Sequence, residues 1–239
     1  NPDIDPQIGD LRVYKNGNFQ NAQALERFSG GFVFANASGL ELKIPISPST
    51  TKSHKAEVVW DNPESGNWKI NMYLTAGNLV NDDIGFGMHA DASPSIDQFD
   101  HAATPRFYNY VEANFEHPEF FYPNFSTDIV PVADNHIWDF TVESNLENEL
   151  VTFQWEKRNA QLLGNRLKLL DTKSLTLVDM SNADQYAFFN SGPRNFKIIY
   201  GDQDFIDNAL FLNYTVLGDC YPNPFKNNTL IPIFLKGNE

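Results

Sequence analysis

The chain has 239 residues, 31 acidic against 17 basic, a formal net charge of −14 and an isoelectric point near 4.6. So few cations cannot supply the clustered Lys and Arg that displace counterions from phosphates, which excludes a nucleic-acid face. Hydrophobic residues make up 41%, enough for packed cores and too many for intrinsic disorder. No run of about 18 apolar residues exists to span a membrane. The single cysteine, Cys220, excludes an internal disulfide framework and a thiolate zinc site. The sequence opens on Asn1 without a signal-peptide pattern and reads as a mature or excised piece.

In chain order, Gln20 to Phe28 are predicted as one short helix, and everything after it is dominated by a period of two. Leu40, Leu42, Ile44 and Ile46 alternate with Glu41, Lys43 and Pro45. Trp68, Ile70, Met72 and Leu74 follow, then Trp138, Phe140 and Val142, and then Val151, Phe153 and Trp155. A single helical turn is expected over 159–163. Phe196, Ile198 and Tyr200, then Leu210, Leu212, Tyr214 and Val216, complete the series. Successive strand side chains point to opposite faces, so each run has one buried and one wet face. Trp60, Trp68, Trp138 and Trp155 fall in these patterns and are expected in the core. Turn clusters such as Asn16-Gly17-Asn18, Asp61-Asn62-Pro63 and Asn190-Ser191-Gly192-Pro193 punctuate them.

The expected class is all-β, as tandem β-sandwiches. Residues 1–133 are read as a jelly-roll-like sandwich whose longest irregular connection runs from Asn81 to Pro105. Residues 134–217 carry seven strand-like runs, the number of a fibronectin type III or immunoglobulin-like sandwich. Residues 218–239 differ in texture, with Pro222, Pro224 and Pro232 before a single strand.

Catalytic signatures are absent: no His-Glu-x-x-His, no Gly-x-Ser-x-Gly and no phosphate-binding loop. Gly85-Phe86-Gly87 lacks the third glycine and the helix of a dinucleotide fold. His54, His89, His101, His117 and His136 are scattered and read as surface or edge-strand histidines. A non-enzymatic chain without a cofactor is expected. Asn81-Asp82-Asp83 and the carboxylates Asp91, Asp97 and Asp100 fall in the long connection. Oxygen ligands from one loop suit Ca²⁺, although the spacing matches no compact calcium loop, and turn capping is the plainer role. Tyr108, Tyr110, Phe120, Phe121 and Tyr122 form the densest aromatic stretch, either a glycan platform or rings packed onto the sandwich. Asn36, Asn124, Asn213 and Asn227 open Asn-x-Ser/Thr sequons, which point to surface positions and little else.

Cys220-Tyr221-Pro222-Asn223-Pro224-Phe225, followed by Thr229 and the alternating Ile231, Ile233 and Leu235, resembles the opening of a type IX secretion C-terminal sorting domain. Two prolines hold such a segment extended and remove backbone donors ahead of the strand. The resemblance covers about the last 20 residues, and the family's later strands do not follow within the chain. Gly30 to Asn36, Leu40 to Pro45, Asn67 to Ile70, Ser126 to Ile129 and Ile137 to Phe140 are loosely similar to modules that precede this signal. The resemblance implies a secreted or outer-surface protein of a Gram-negative bacterium, with type IX translocon and shuttle proteins as partners. It also implies a spacer or display role, with Tyr221, Pro222, Asn223, Pro224 and Phe225 as a structural lead-in. The alternative is a carbohydrate- or calcium-binding accessory module of an adhesin or hydrolase, with a glycan or surface-protein partner.

Overall fold

Every second residue from Trp68 to Ala76 is buried, and the chain there is a strand, as the alternation predicts. The computed structural model describes residues 9–15, 18–22, 24–25, 30–35, 38–40, 60, 66–106, 108–120, 122–156, 163, 166–210, 216–217, 227–231 and 233–234. Within them lie β1 (Arg12–Lys15), β2 (Asn18–Asn21), β3 (Gly31–Phe32), β4 (Trp68–Ala76), β5 (Leu79–His89) and β6 (His101–Ala102). There follow β7 (Val111–Glu116), β8 (Asn124–Pro131), β9 (His136–Ser144), β10 (Leu150–Trp155), β11 (Leu167–Asp171) and β12 (Thr176–Asp179). The series ends with β13 (Gln185–Phe189), β14 (Arg194–Tyr200), the helix α1 (Gln203–Leu210), β15 (Val216–Leu217) and β16 (Ile233–Phe234). The protein is all-β.

One large sheet carries the fold, in the order β12-β11-β14-β9-β7-β8-β5-β4-β10-β13, with β6 added beside β8. Its pairs are antiparallel except β5 with β8. The sheet turns back on itself. Trp68 of β4 packs its ring 5.8 Å from Trp138 of β9 and 5.2 Å from Tyr200 of β14, although four strands separate β4 from β14 in the pairing order. Farther along, Phe153 of β10 meets Phe196 of β14 at 5.0 Å and Phe140 of β9 at 5.8 Å. The two halves are the layers of a β-sandwich around a single aromatic core. They join at β7 and β8, which share only the pairs Phe115↔Phe125 and Glu116↔Asn124.

Strands from both sides of the expected 133/134 boundary interleave in this sheet. β9 pairs with β7, and β10 pairs with β4 through Val151↔Ala76 to Trp155↔Met72. The pairing therefore builds one shared core where the sequence suggested two in tandem. The alternation of Trp138–Val142 and of Val151–Trp155 marks inward faces correctly, but those faces are completed by strands from the other segment.

Three local expectations are corrected. The helix expected from Gln20 to Phe28 is not formed at its start, since Gln20 and Asn21 belong to β2 and pair with Val13 and Arg12. The long connection expected from Asn81 to Pro105 is strand over its first part, since β5 runs to His89, and again at β6; the irregular parts are 90–100 and 103–105. The segment before Leu210 holds α1, whose Asp202 side chain accepts a hydrogen bond from the Phe205 amide at 2.8 Å as an N-cap. Ile206 is buried against Leu170 and Ile199, so the helix covers the outer face of β11 and β14. Leu42 to Ile46, the turn expected over 159–162, and Leu212 to Tyr214 lie outside the described residues.

Outside the large sheet, β1, β2 and β3 form a small antiparallel sheet. The ion pair between Arg12 and Asp83 ties it to β5.

Candidate functional site

The inward residues of β7 are Val111, Ala113 and Phe115, so Glu112 and Asn114 project from the opposite face. A groove of about 60 Å³ lies over this outer face. Its lining includes Asn81, Asp83, Asn114 and Ser126 from the large sheet, Tyr14 and Phe19 from the small one, and Arg106 and Tyr110 from the segment before β7. They come from four stretches of the chain, brought together by the pairing of β5, β7 and β8 and by the small sheet beside them.

The carboxylates of the groove are already partnered. Glu112 and Glu143 face each other across β7 and β9, an arrangement that repels. Arg106 bridges them, donating from Nε to Glu112 Oε1 at 2.7 Å and from Nη2 to Glu143. The same guanidinium lies 4.5 Å from the centre of the Tyr110 ring. Asp83 pairs with Arg12, accepts from Ser126 Oγ at 3.0 Å, and has His101 Nδ1 3.7 Å away. Burial pushes the Asp83 carboxyl up, but hydrogen bonds and charge from His101 and Arg12 outweigh it and hold the group below its usual range. One polar atom is left over. Asn114 donates from Nδ2 to Glu112 at 2.9 Å, while its Oδ1 is buried without a partner.

The rim segment around Tyr108 is held by its backbone. Asn145 Nδ2 donates to the Tyr108 carbonyl at 2.9 Å, the Tyr110 amide donates to Asn145 Oδ1 at 3.0 Å, and Ser144 Oγ donates to the Tyr110 carbonyl at 2.9 Å. The Tyr108 side chain is left 94% exposed.

The described members of the aromatic stretch singled out in the sequence differ in their surroundings. Tyr108 is exposed and Tyr110 faces Arg106. Phe120 packs against the core beside Phe125, 6.2 Å between rings, so it is no part of a wet platform. Tyr122 is half-buried and donates from its hydroxyl to the Ala103 carbonyl at 2.9 Å. Phe121 lies outside the described residues.

Asp97 and Asp100 do come together, though their oxygens are used locally. Asp97 accepts from the amides of Ser93 at 2.6 Å and Phe99 at 2.7 Å, and Asp100 accepts from those of Asp97 at 3.0 Å and Ile129 at 2.9 Å. Asp91 sits apart from these bonds, exposed, with its carboxylate 4.0 Å from His89 Nδ1. Among the described residues, no group of three or more His, Cys, Asp or Glu side chains is arranged to hold a metal ion. Burial, with the charges of Asp128 and Asp97 adding to it, pushes Asp100 up to about 7 against the pull of its two amide bonds.

Of the histidines, His89 departs from the surface reading: it is 7% exposed and stacks on Phe99 at 4.3 Å. His117 lies 3.4 Å from Asp128, whose hydrogen bond raises its pKa against the effect of burial. His54 lies outside the described residues. Trp68, Trp138 and Trp155 are core, whereas Trp60 is only half-buried against His89 and Phe99.

Arg106, Glu112, Asn114 and Glu143 were not singled out from the sequence. The visible signal was limited to Tyr108, Tyr110 and the Asn81-Asp82-Asp83 run, which was read as loop, because the pairing of Glu112 with Glu143 exists only once β7 and β9 are neighbours. The sorting-domain motif Tyr221, Pro222, Asn223, Pro224 and Phe225, with Cys220, lies outside the described residues. Comparison with protein-family models, with curated proteins and with solved structures finds no match to this chain.

Proposed function

We propose that this chain is a non-catalytic β-sandwich spacer or display region of a protein exported by type IX secretion, leading into a C-terminal sorting signal that opens at Tyr221. The observation that carries the reading is the Tyr-Pro-Asn-Pro-Phe sequence at 221–225, which follows a β-sandwich and its covering helix. Two features support the non-catalytic part. The sandwich is one continuous core, suited to holding neighbouring regions apart, and the groove carboxylates are engaged by Arg12 and Arg106. On this reading the destination is the outer surface or the medium, and the partners are the translocon and shuttle proteins that receive the sorting signal.

The test is an export assay. The segment from residue 218, taken with its native downstream sequence, is fused to a reporter in a type IX-competent cell. The reporter is expected at the surface or in the medium, and Tyr221→Ala with Phe225→Ala is expected to retain it inside. A reporter that stays in the periplasm with the motif intact overturns the assignment.

A further inference from the structure

We propose that the groove between β7 and the β1–β3 sheet binds a neutral saccharide, with Tyr108 and Tyr110 as its aromatic rim. The site is independent of the export reading and rests on four observations.

The first is charge. Asp83 is paired with Arg12, and Glu112 and Glu143 with Arg106. A charged ligand would have to compete with an ion pair already formed and leave a partly buried charge behind. A neutral ligand meets no such penalty.

The second is hydrogen-bonding capacity. Asn114 is 5% exposed and lines the groove, and its Oδ1 has no partner. A buried amide oxygen without a donor costs free energy, so a ligand hydroxyl that reaches it removes a penalty as well as forming a bond. Thr104 and Asn109 line the same groove and add neutral groups.

The third is the rim. Tyr108 is 94% exposed between two groove residues, Arg106 and Asn109. A tyrosine ring offers an apolar face and a hydroxyl together, which suits the C–H face and hydroxyls of a sugar. The bonds from Ser144 and Asn145 fix the backbone on which Tyr108 and Tyr110 stand, so less freedom is lost on binding.

The fourth is size. The groove is small, about 60 Å³, and open to solvent on one side, so it holds a ligand at its surface without enclosing it. The groove is open, so the ligand proposed is an oligosaccharide lying across it, with a second ring against Tyr108.

The experiment uses the 239-residue chain and three sets of hexasaccharides: neutral gluco- and manno-oligomers, acidic oligouronates and cationic glucosamine oligomers. Titration is followed by calorimetry and by amide NMR shifts. A neutral set is expected to bind and to shift Asn109, Tyr110 and Asn114. Tyr108→Ala is expected to weaken that binding about tenfold with an unchanged melting temperature, because the ring packs on nothing that folding requires. Asn114→Leu, which removes the orphan acceptor, is expected to weaken it as well. The proposal fails if no neutral set binds at millimolar concentration, or if a charged set binds more tightly. It also fails if the shifts map elsewhere or Tyr108→Ala binds like the parent. None of these outcomes bears on the export assay, which uses only the segment from residue 218.

Discussion

Asp171 is a carboxylate held by partners both distant and near in sequence. It is 1% exposed, yet it accepts from Arg194 Nε at 3.0 Å and Nη2 at 2.5 Å, from Tyr186 Oη at 2.6 Å and from the Lys173 amide at 3.0 Å. Burial pushes its pKa up, and the Arg194 and Tyr186 bonds outweigh that and hold it below the usual range. Burial and the bond to Asp171 push the Tyr186 hydroxyl up to about 12. Removing one member of such a pair leaves the other charge uncompensated, so Asp171→Ala is expected to lower stability by about 3–5 kcal/mol, read from urea unfolding. Arg106 makes a milder case because it is 44% exposed in its pairing with Glu112 and Glu143. Arg106→Ala is expected to cost about 1 kcal/mol, and adding Glu143→Gln is expected to restore part of it by ending the cross-strand repulsion. Equal stability of the single and double variants would show that Arg106 does not neutralise the pair.

β5 shows why some strands can be read from a sequence and others cannot. β4 has one face on the core and one outward, so Trp68, Ile70, Met72 and Leu74 declare themselves by period. From Ile84 to His89, β5 is buried on both faces, and its alternation disappears. Its opening Asn81-Asp82-Asp83 then resembles a loop, although these residues are strand and Asp83 anchors the small sheet. The glycines of Gly85-Phe86-Gly87 serve packing. A Cβ at Gly87 would run into the Trp68 carbonyl oxygen of the paired strand. Gly87→Ala is expected to destabilise the protein by about 1–3 kcal/mol, with loss of amide protection in β4 and β5 under hydrogen exchange. The helix α1 had a readable signal in the Asp202 cap and the spacing of Phe205, Ile206, Ala209 and Leu210. The groove had little, since it joins positions from Tyr14 to Ser126 that become neighbours only through non-local pairing.

Over the entire chain, two sets of titrating groups pull stability in opposite directions. Asp83, Asp171 and Asp179, the last held at about 2 despite burial by its bonds to Lys168 and Ser181, have lowered values in the folded protein. Their contribution is present above the unfolded value near 3.8 and is lost as pH falls through the folded ones. Asp100, raised to about 7, and His117, raised by Asp128, contribute below their unfolded values of 3.8 and 6.5. Those contributions are lost as pH rises through the folded values. The net charge of −14 adds repulsion on the alkaline side. The melting temperature is therefore expected to be highest at about pH 4–5 and lower at pH 8; a curve that keeps rising to pH 8 would contradict these assignments. The interleaving of the two chain segments bears on how the protein comes into being. β4 acquires its second neighbour only when β10 is available, and Asn71 bonds Glu156 across 85 positions of sequence. A nascent chain that has reached residue 133 holds β4 with an unfilled edge and half a core, so it is expected to lack a stably folded state of its own. Completion of the sheet waits for the later strands, because β4 and β7 each need a partner made after residue 133.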